Sequence, residues 1–140
     1  MKEGNKMNSF QVILLGIIFD PKERKILIGR REKDKYYPKL SWAFPGGDLT
    51  HDGEINKTLK EKIKAQTGLK VKNLGAVFSK TYEEDRSLVA IYFLCEAVKG
   101  RPKAGEKLKE LKWVKAEQLE SLFTTSFHPR LKEYLVHIAA

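Results

Sequence analysis

The 140-residue chain contains a single cysteine, which rules out an intrachain disulfide. Cys95 lies inside the apolar run LVAIYFLCEAV, where a buried, inert thiol in a reducing compartment is expected. No stretch of about 18 apolar residues occurs, which excludes a membrane-spanning helix and a membrane partner of that kind. The run SFQVILLGIIF is apolar but strand-like, meets a turn at once, and lacks the small-residue cleavage site of a secretory signal. The expectation is therefore a cytoplasmic protein. Internal repeats, Pro-rich linkers and low-complexity tracts are missing, so no domain boundary is signalled. One domain over residues 9–140 is expected, preceded by a loose polar tail over residues 1–8. Also absent are a Walker-type Gly-rich loop, zinc-ligand spacing, a Ser-His-Asp context and an RNA-recognition signature.

Acidic residues are in deficit. Against 27 Lys and Arg stand 18 Asp and Glu, a net charge of +9. Such a balance favours anionic partners, whether nucleotides, nucleic acid or acidic membrane surfaces. Lys and Glu are interspersed rather than blocked, which fits a solvated surface equally well.

What is present is an alternation of strand and helix patterns. FQVILLGIIF and KILIGRR are rich in β-branched residues and flank DPKERK, whose Asp-Pro opening marks the turn of a hairpin. Continuous apolarity in the first run predicts a strand covered on both faces. KDKYYPKLSWAFPGG reads as an extended loop leading to a short strand. From about Gly53 to Thr67, Ile55, Leu59 and Ile63 recur every four positions and Gly68 supplies the stop, which predicts an amphipathic helix. LKVKNLGAVFSKTY and SLVAIYFLCEAV read as strands around the polar turn EEDR, and LKELKWV as another strand. AEQLESLF predicts a short helix, and HPRLKEYLVHIAA a second with Pro129 at its start and Leu131, Leu135 and Ile138 on one face. This order predicts an α/β fold with a mixed sheet between helices rather than a repeating βαβ wind.

The stretch YYPKLSWAFPGGDLTHDGE, followed by a helix ending QTGL, resembles the Nudix family. The family's signature is G-x5-E-x7-R-E-U-x-E-E-x-G-U, with U aliphatic. KILIGRR resembles the strand before that box, and GEKLKELKWVKAEQL the late Glu, the Trp-Val strand and the short helix, so the likeness covers about residues 10 to 137. It implies an α/β/α sandwich and a MutT-like hydrolase that cleaves nucleoside diphosphate derivatives. In such enzymes Mg²⁺ or Mn²⁺, held by glutamates of the box helix, neutralises the diphosphate and activates water. Positions i, i+3 and i+4 share a helix face, which is why E-U-x-E-E can aim three carboxylates at one metal cluster.

With the first Gly at Gly47 and the last at Gly68, the loop glutamate falls on Gly53, the arginine on Glu61, the next glutamate on Lys62 and the Glu-Glu pair on Ala65 and Gln66. A shift by one places Glu54 on the loop position, Ile63 on the first helix glutamate, and Gln66 and Thr67 on the pair. Neither register restores the helix carboxylates. Candidate substitutes are Glu54 and Glu61 as catalytic groups and Asp52, Glu54 and Glu61 as metal ligands, with Mg or Mn needed only if hydrolysis persists. Glu54 and Glu61 are seven residues apart, about 10.5 Å along a helix, too far for one ion to bridge easily. Asp48, Glu83, Glu84 and Asp85 are further oxygen donors in turns. The expected ligand-binding residues are Arg30, Arg31, Gly46, Gly47, Lys62 and Tyr82, the arginines for bidentate phosphate contacts and Tyr82 for base stacking. Phe10, Trp42 and Phe44 are assigned to the core. His51 beside Asp52 reads as a loop histidine or as a general base.

The leading reading is a Nudix-fold protein that binds a nucleotide or other diphosphate-containing small molecule, with metal-dependent hydrolysis lost or weak. Two alternatives stay open, an active Nudix hydrolase with relocated carboxylates and a basic nucleic-acid or protein-binding module. Homodimerisation, common in the family, leaves no trace in the sequence.

Overall fold

Residues Gln11–Asp20 form β1, the central strand of the sheet, as their unbroken apolarity demands. In the computed structural model, which describes residues 9–31, 41–124 and 126–140, the other strands are β2 (Lys25–Arg31), β3 (Trp42–Ala43), β4 (Gly46–Asp48), β5 (Lys70–Thr81), β6 (Leu88–Lys99) and β7 (Leu108–Val114). The main path is β3-β2-β1-β6-β5, with β4 paired to β1 and β7 paired to β2. β1 and β6 run parallel and the remaining pairs antiparallel, so the sheet is mixed, as expected. The hairpin between β1 and β2 forms at the anticipated turn, where Asp20 Oδ1 accepts from the amides of Lys22 and Glu23. The expected tail at residues 1–8 and the first part, KDKYYPKL, of the expected loop KDKYYPKLSWAFPGG lie outside the described residues.

Helices cover both faces. Leu14 and Ile18 of β1 pack with Leu59 and Ile63 of α1 (Ile55–Thr67), together with Leu69, Val71, Phe93 and Cys95. The alternate residues Leu15 and Ile17 face the other way, onto Ala116 of a 3₁₀ turn (Ala116–Gln118), Leu119 of α2 (Leu119–Leu122), and Leu131 and Leu135 of α3 (Pro129–Ala139). This period-2 split of one apolar strand into two cores produces the α/β/α sandwich. Among the described residues no helix is long and apolar enough to cross a membrane.

The helix that carries the box is seated by glycine. A Cβ on Gly16 would stand 2.6 Å from Ile63 Cδ1, so β1 accepts α1 closely only because that position is bare. Glu54 is the N-cap of α1, its two carboxylate oxygens accepting from Asn56 N at 3.0 Å and Lys57 N at 2.8 Å. Gly68 ends the helix in the left-handed region, as expected, at φ 76°.

Two expectations need correction. Ile55, placed in the buried stripe of α1, is 40% exposed, because the stripe continues downward through Leu59 and Ile63 to Gln66 and Thr67 instead. Phe10, assigned to the core, is 63% exposed, since it lies just ahead of β1 and beyond the helices that cover that strand. Cys95 is buried, and burial pushes its thiol up to about 12, the inert state expected.

Candidate functional site

The turn Pro45-Gly46-Gly47 leads into β4 and meets the last turns of α1. Gln66 is 4% exposed and spans both polar groups of one residue: its Oε1 accepts from Gly46 N at 2.9 Å, and its Nε2 donates to Gly46 O at 2.7 Å. A carboxamide can do this because it offers a donor and an acceptor side by side. One position along, the Lys62 stem lies against Gly47, where an added Cβ would be 3.2 Å from Lys62 Cδ and 3.8 Å from its Nζ. Thr67 closes the helix by donating from Oγ1 to Ile63 O and accepting from Leu69 N.

The loop before β7 docks on the C-terminus of α1. Its amides at Lys103, Gly105 and Glu106 donate to the helix carbonyls of Thr67, Gln66 and Ala65 at 2.8, 2.9 and 3.0 Å, satisfying groups a helix end leaves open. Gly105 permits this approach, since a Cβ there would fall 2.2 Å from Ala65 O. Gly105→Ala is therefore expected to lower stability by about 1–3 kcal/mol, the range for stored local strain. A shift in the urea midpoint smaller than that of an exposed control such as Ala97→Gly would contradict the docking.

Docking carries Glu106 and Lys107 to the rim of a cleft of about 90 Å³, room for several water molecules, whose walls also include Arg31, Asp48, Lys62 and Gln66. Its other wall is aromatic. Phe44 packs edge-on against Tyr92 and Phe123 with centroids 5.8 and 5.1 Å apart, and Phe123 meets Phe127 at 5.4 Å. Burial pushes the Tyr92 phenol well above its usual range, reinforced by the Tyr82 hydroxyl beside it. Lys80 Nζ lies 4.6 Å from the centre of the Tyr82 ring.

Ser126 and Phe127, which line this wall, are tied to the β5–β6 hairpin. Glu84 accepts from Ser126 N and from Ser126 Oγ, both at 2.8 Å, while Lys80 Nζ donates to Ser126 O at 2.9 Å. Burial holds the Lys80 amine below its usual range, partly opposed by Glu84 and Glu83. At Glu84 burial raises the carboxyl, but the hydrogen bonds from Ser126 and from its own amide, with the Lys80 charge, together outweigh it and the net shift is downward. A lowered carboxyl contributes stability above the ordinary carboxylate range and loses it as pH falls through the folded value. Acidification is thus expected to release Ser126 before the core opens. Hydrogen exchange at the Ser126 amide should rise on acidification after correction for intrinsic rate, and an unchanged protection factor would contradict it.

Of the anticipated ligand residues, Arg31, Gly46, Gly47, Lys62 and Tyr82 all line the cleft. Arg30 instead pairs with Glu110 through Nε at 2.9 Å, with both side chains about half exposed. Among the anticipated catalytic and metal residues, Glu54 caps α1 and Asp52, Glu54 and Glu61 are exposed, none of them among the cleft-lining residues. His51 is exposed and likewise does not line the cleft. Sequence reasoning missed the roles of Gln66, Glu106 and Lys107. Gln66 could have been found, as an amide at a position where the family uses glutamate; the other two depend on how a loop docks.

The family's metals need hard oxygen ligands in a group. Among the described residues no three of His, Cys, Asp or Glu are clustered to hold an ion. The cleft instead combines three cations, Arg31, Lys62 and Lys107, with two carboxylates, Asp48 and Glu106. The donor set does not fit a divalent metal cluster.

Comparison with known proteins bears on this geometry. Residues 10–135 match the family described as NUDIX domain. An ADP-ribose pyrophosphatase of Methanocaldococcus jannaschii is 31% identical over 104 residues, 72% of this chain and 60% of that protein. An 8-oxo-dGTP diphosphatase of Buchnera aphidicola subsp. Schizaphis graminum is 37% identical over 59 residues, 42% of this chain and 43% of that protein. Both matches thus span less than two thirds of the relative's length. The crystal structure of MutT protein from Methanosarcina mazei Go1 superposes with a TM-score of 0.72 at 17% identity, over 93% of each chain, a likeness of fold.

Proposed function

The chain belongs to the Nudix family, with a MutT-like fold, and from that membership we propose that its cleft binds a nucleotide or another diphosphate-containing small molecule while metal-dependent pyrophosphohydrolysis is lost or weak. The observation that carries this reading is the double hydrogen bond of Gln66 to Gly46. It commits a side chain at a metal-ligand position of the box to holding the turn, and leaves there a neutral amide with its oxygen already engaged in place of a charged carboxylate.

The cleft divides by chemistry. Arg31, Lys62 and Lys107 offer donors and positive charge to a diphosphate, and Arg31 can do so through two parallel N–H groups. Two unit charges about 4 Å apart at an effective dielectric of about 20 attract by about 4 kcal/mol before desolvation is subtracted. Tyr82, Phe127 and Trp42 give a planar or hydrophobic group somewhere to lie. The pyrophosphatase and diphosphatase relatives act, by their names, on ADP-ribose and 8-oxo-dGTP, which is why ADP-ribose and ADP are the first ligands to try.

Calorimetric titration with both compounds in the presence of a chelator tests binding. Saturable one-site binding without turnover is expected. Hydrolysis with Mg²⁺ or Mn²⁺ that Glu54→Gln or Glu61→Gln abolishes would replace this reading with a hydrolase using relocated carboxylates.

A further inference from the structure

We infer that Lys62 stands where a divalent ion would be needed, so that the cleft takes diphosphates free of metal and Mg²⁺ competes with the protein for them. This rests on the proposed function and adds the sign of the metal's effect on binding.

A diphosphate must have its charge balanced by something, and here the chain supplies the balance. Lys62 reaches the Gly46-Gly47 turn and lies over Gly47, whose Cβ position would be 3.2 Å from its Cδ and 3.5 Å from its Cε. Arg31 and Lys107 bring two further cations to the same cleft. A diphosphate that arrives with Mg²⁺ already on its oxygens has less charge to offer these side chains, and its ion would sit among like charges. The oxygens available to compensate are few. Gln66 Oε1 accepts from Gly46 N, Gly46 O accepts from Gln66 Nε2, and Asp48 and Glu106 approach from separate elements, β4 and the loop before β7. Mg²⁺ also prefers near-octahedral oxygen coordination and gives up water reluctantly, so two carboxylates beside three cations make a poor exchange for its hydration shell. The ammonium and the ion therefore compete for the same diphosphate charge, and three cations already in the cleft weight that competition against the ion.

The test is calorimetric titration of ADP, and separately of ADP-ribose, into the intact protein, first with a chelator and then with Mg²⁺ at fixed ionic strength. At a Mg²⁺ concentration that complexes about nine tenths of the ADP, apparent affinity should fall about tenfold, because only the free tenth competes for the site. Lys62→Met should weaken metal-free binding by about 10- to 100-fold, as expected for a lost charge-assisted bond, and Lys62→Arg should restore part of it. Melting curves with the wild-type midpoint show that the variants fold, and the Mg²⁺ dependence of the wild-type chain stands as a test without them. Binding that is equal or tighter with Mg²⁺ overturns this inference and leaves the proposed function standing. No binding of either compound under either condition sinks both.

Discussion

Gln66→Leu is expected to lower the free energy of unfolding by about 2–5 kcal/mol, because it leaves two buried backbone groups without partners. The leucine fills much the same space, so the loss is one of hydrogen bonding rather than packing. Gly46 N and Gly46 O would each forfeit a buried bond, of 2.9 and 2.7 Å, and nothing in an apolar side chain replaces them. Urea denaturation followed by circular dichroism measures it, and a loss below about 1 kcal/mol would show that the amide pair is dispensable. Gln66→Glu separates geometry from charge. A glutamate can accept from Gly46 N, but its second oxygen confronts the Gly46 carbonyl unless it is protonated. Its folded pKa should therefore be raised, and the variant should have its full stability below the unfolded carboxylate value and lose it as pH rises through the folded one. Wild type would show no such step from this position, since the carboxamide does not titrate.

Gly46→Ala should be more damaging still. Gly46 adopts φ 145°, which side chains rarely tolerate, and an added Cβ would fall 2.0 Å from Leu14 O, a backbone atom of the central strand. Neither partner can rotate away. A cost of at least about 3–5 kcal/mol is expected, enough to abolish folding in a marginally stable domain. Soluble expression and amide dispersion in a nitrogen-correlated NMR spectrum would reveal it. Wild-type dispersion in Gly46→Ala would mean that the turn is laid against β1 differently. Together the two variants treat the Pro-Gly-Gly turn as a structural element first, and as one wall of the cleft because of that.

The chain's pattern made most elements legible. Unbroken apolarity in FQVILLGIIF marked a central strand, the four-residue spacing of Leu59 and Ile63 marked α1, and Pro129 marked the start of α3. These signals are local, arising from side-chain period and backbone restriction. Less legible was where a stripe ends. Ile55 has the right spacing yet is exposed, because burial depends on what stands opposite. The cleft shows the same division. Arg31, Gly46, Gly47, Lys62 and Tyr82 could be named in advance from the box and its neighbours. Arg30, next in sequence, turns instead to Glu110 across the β2–β7 pair, since successive residues of a strand face opposite sides.

By itself the sequence determined the frame and the family: one apolar strand for two cores, a helix with a glycine stop, and a box whose carboxylate positions hold Lys62, Ala65 and Gln66. Only the tertiary structure decided what those replacements do. It set Gln66 on both polar groups of Gly46, laid Lys62 over Gly47, and brought Glu106 and Lys107 into the cleft by docking a glycine-bearing loop on the end of α1. The physical reason is range. Helix and strand patterns are written in residues a few positions apart, whereas the cleft joins groups far apart in the chain through single hydrogen bonds and bare glycines, which leave no periodic trace.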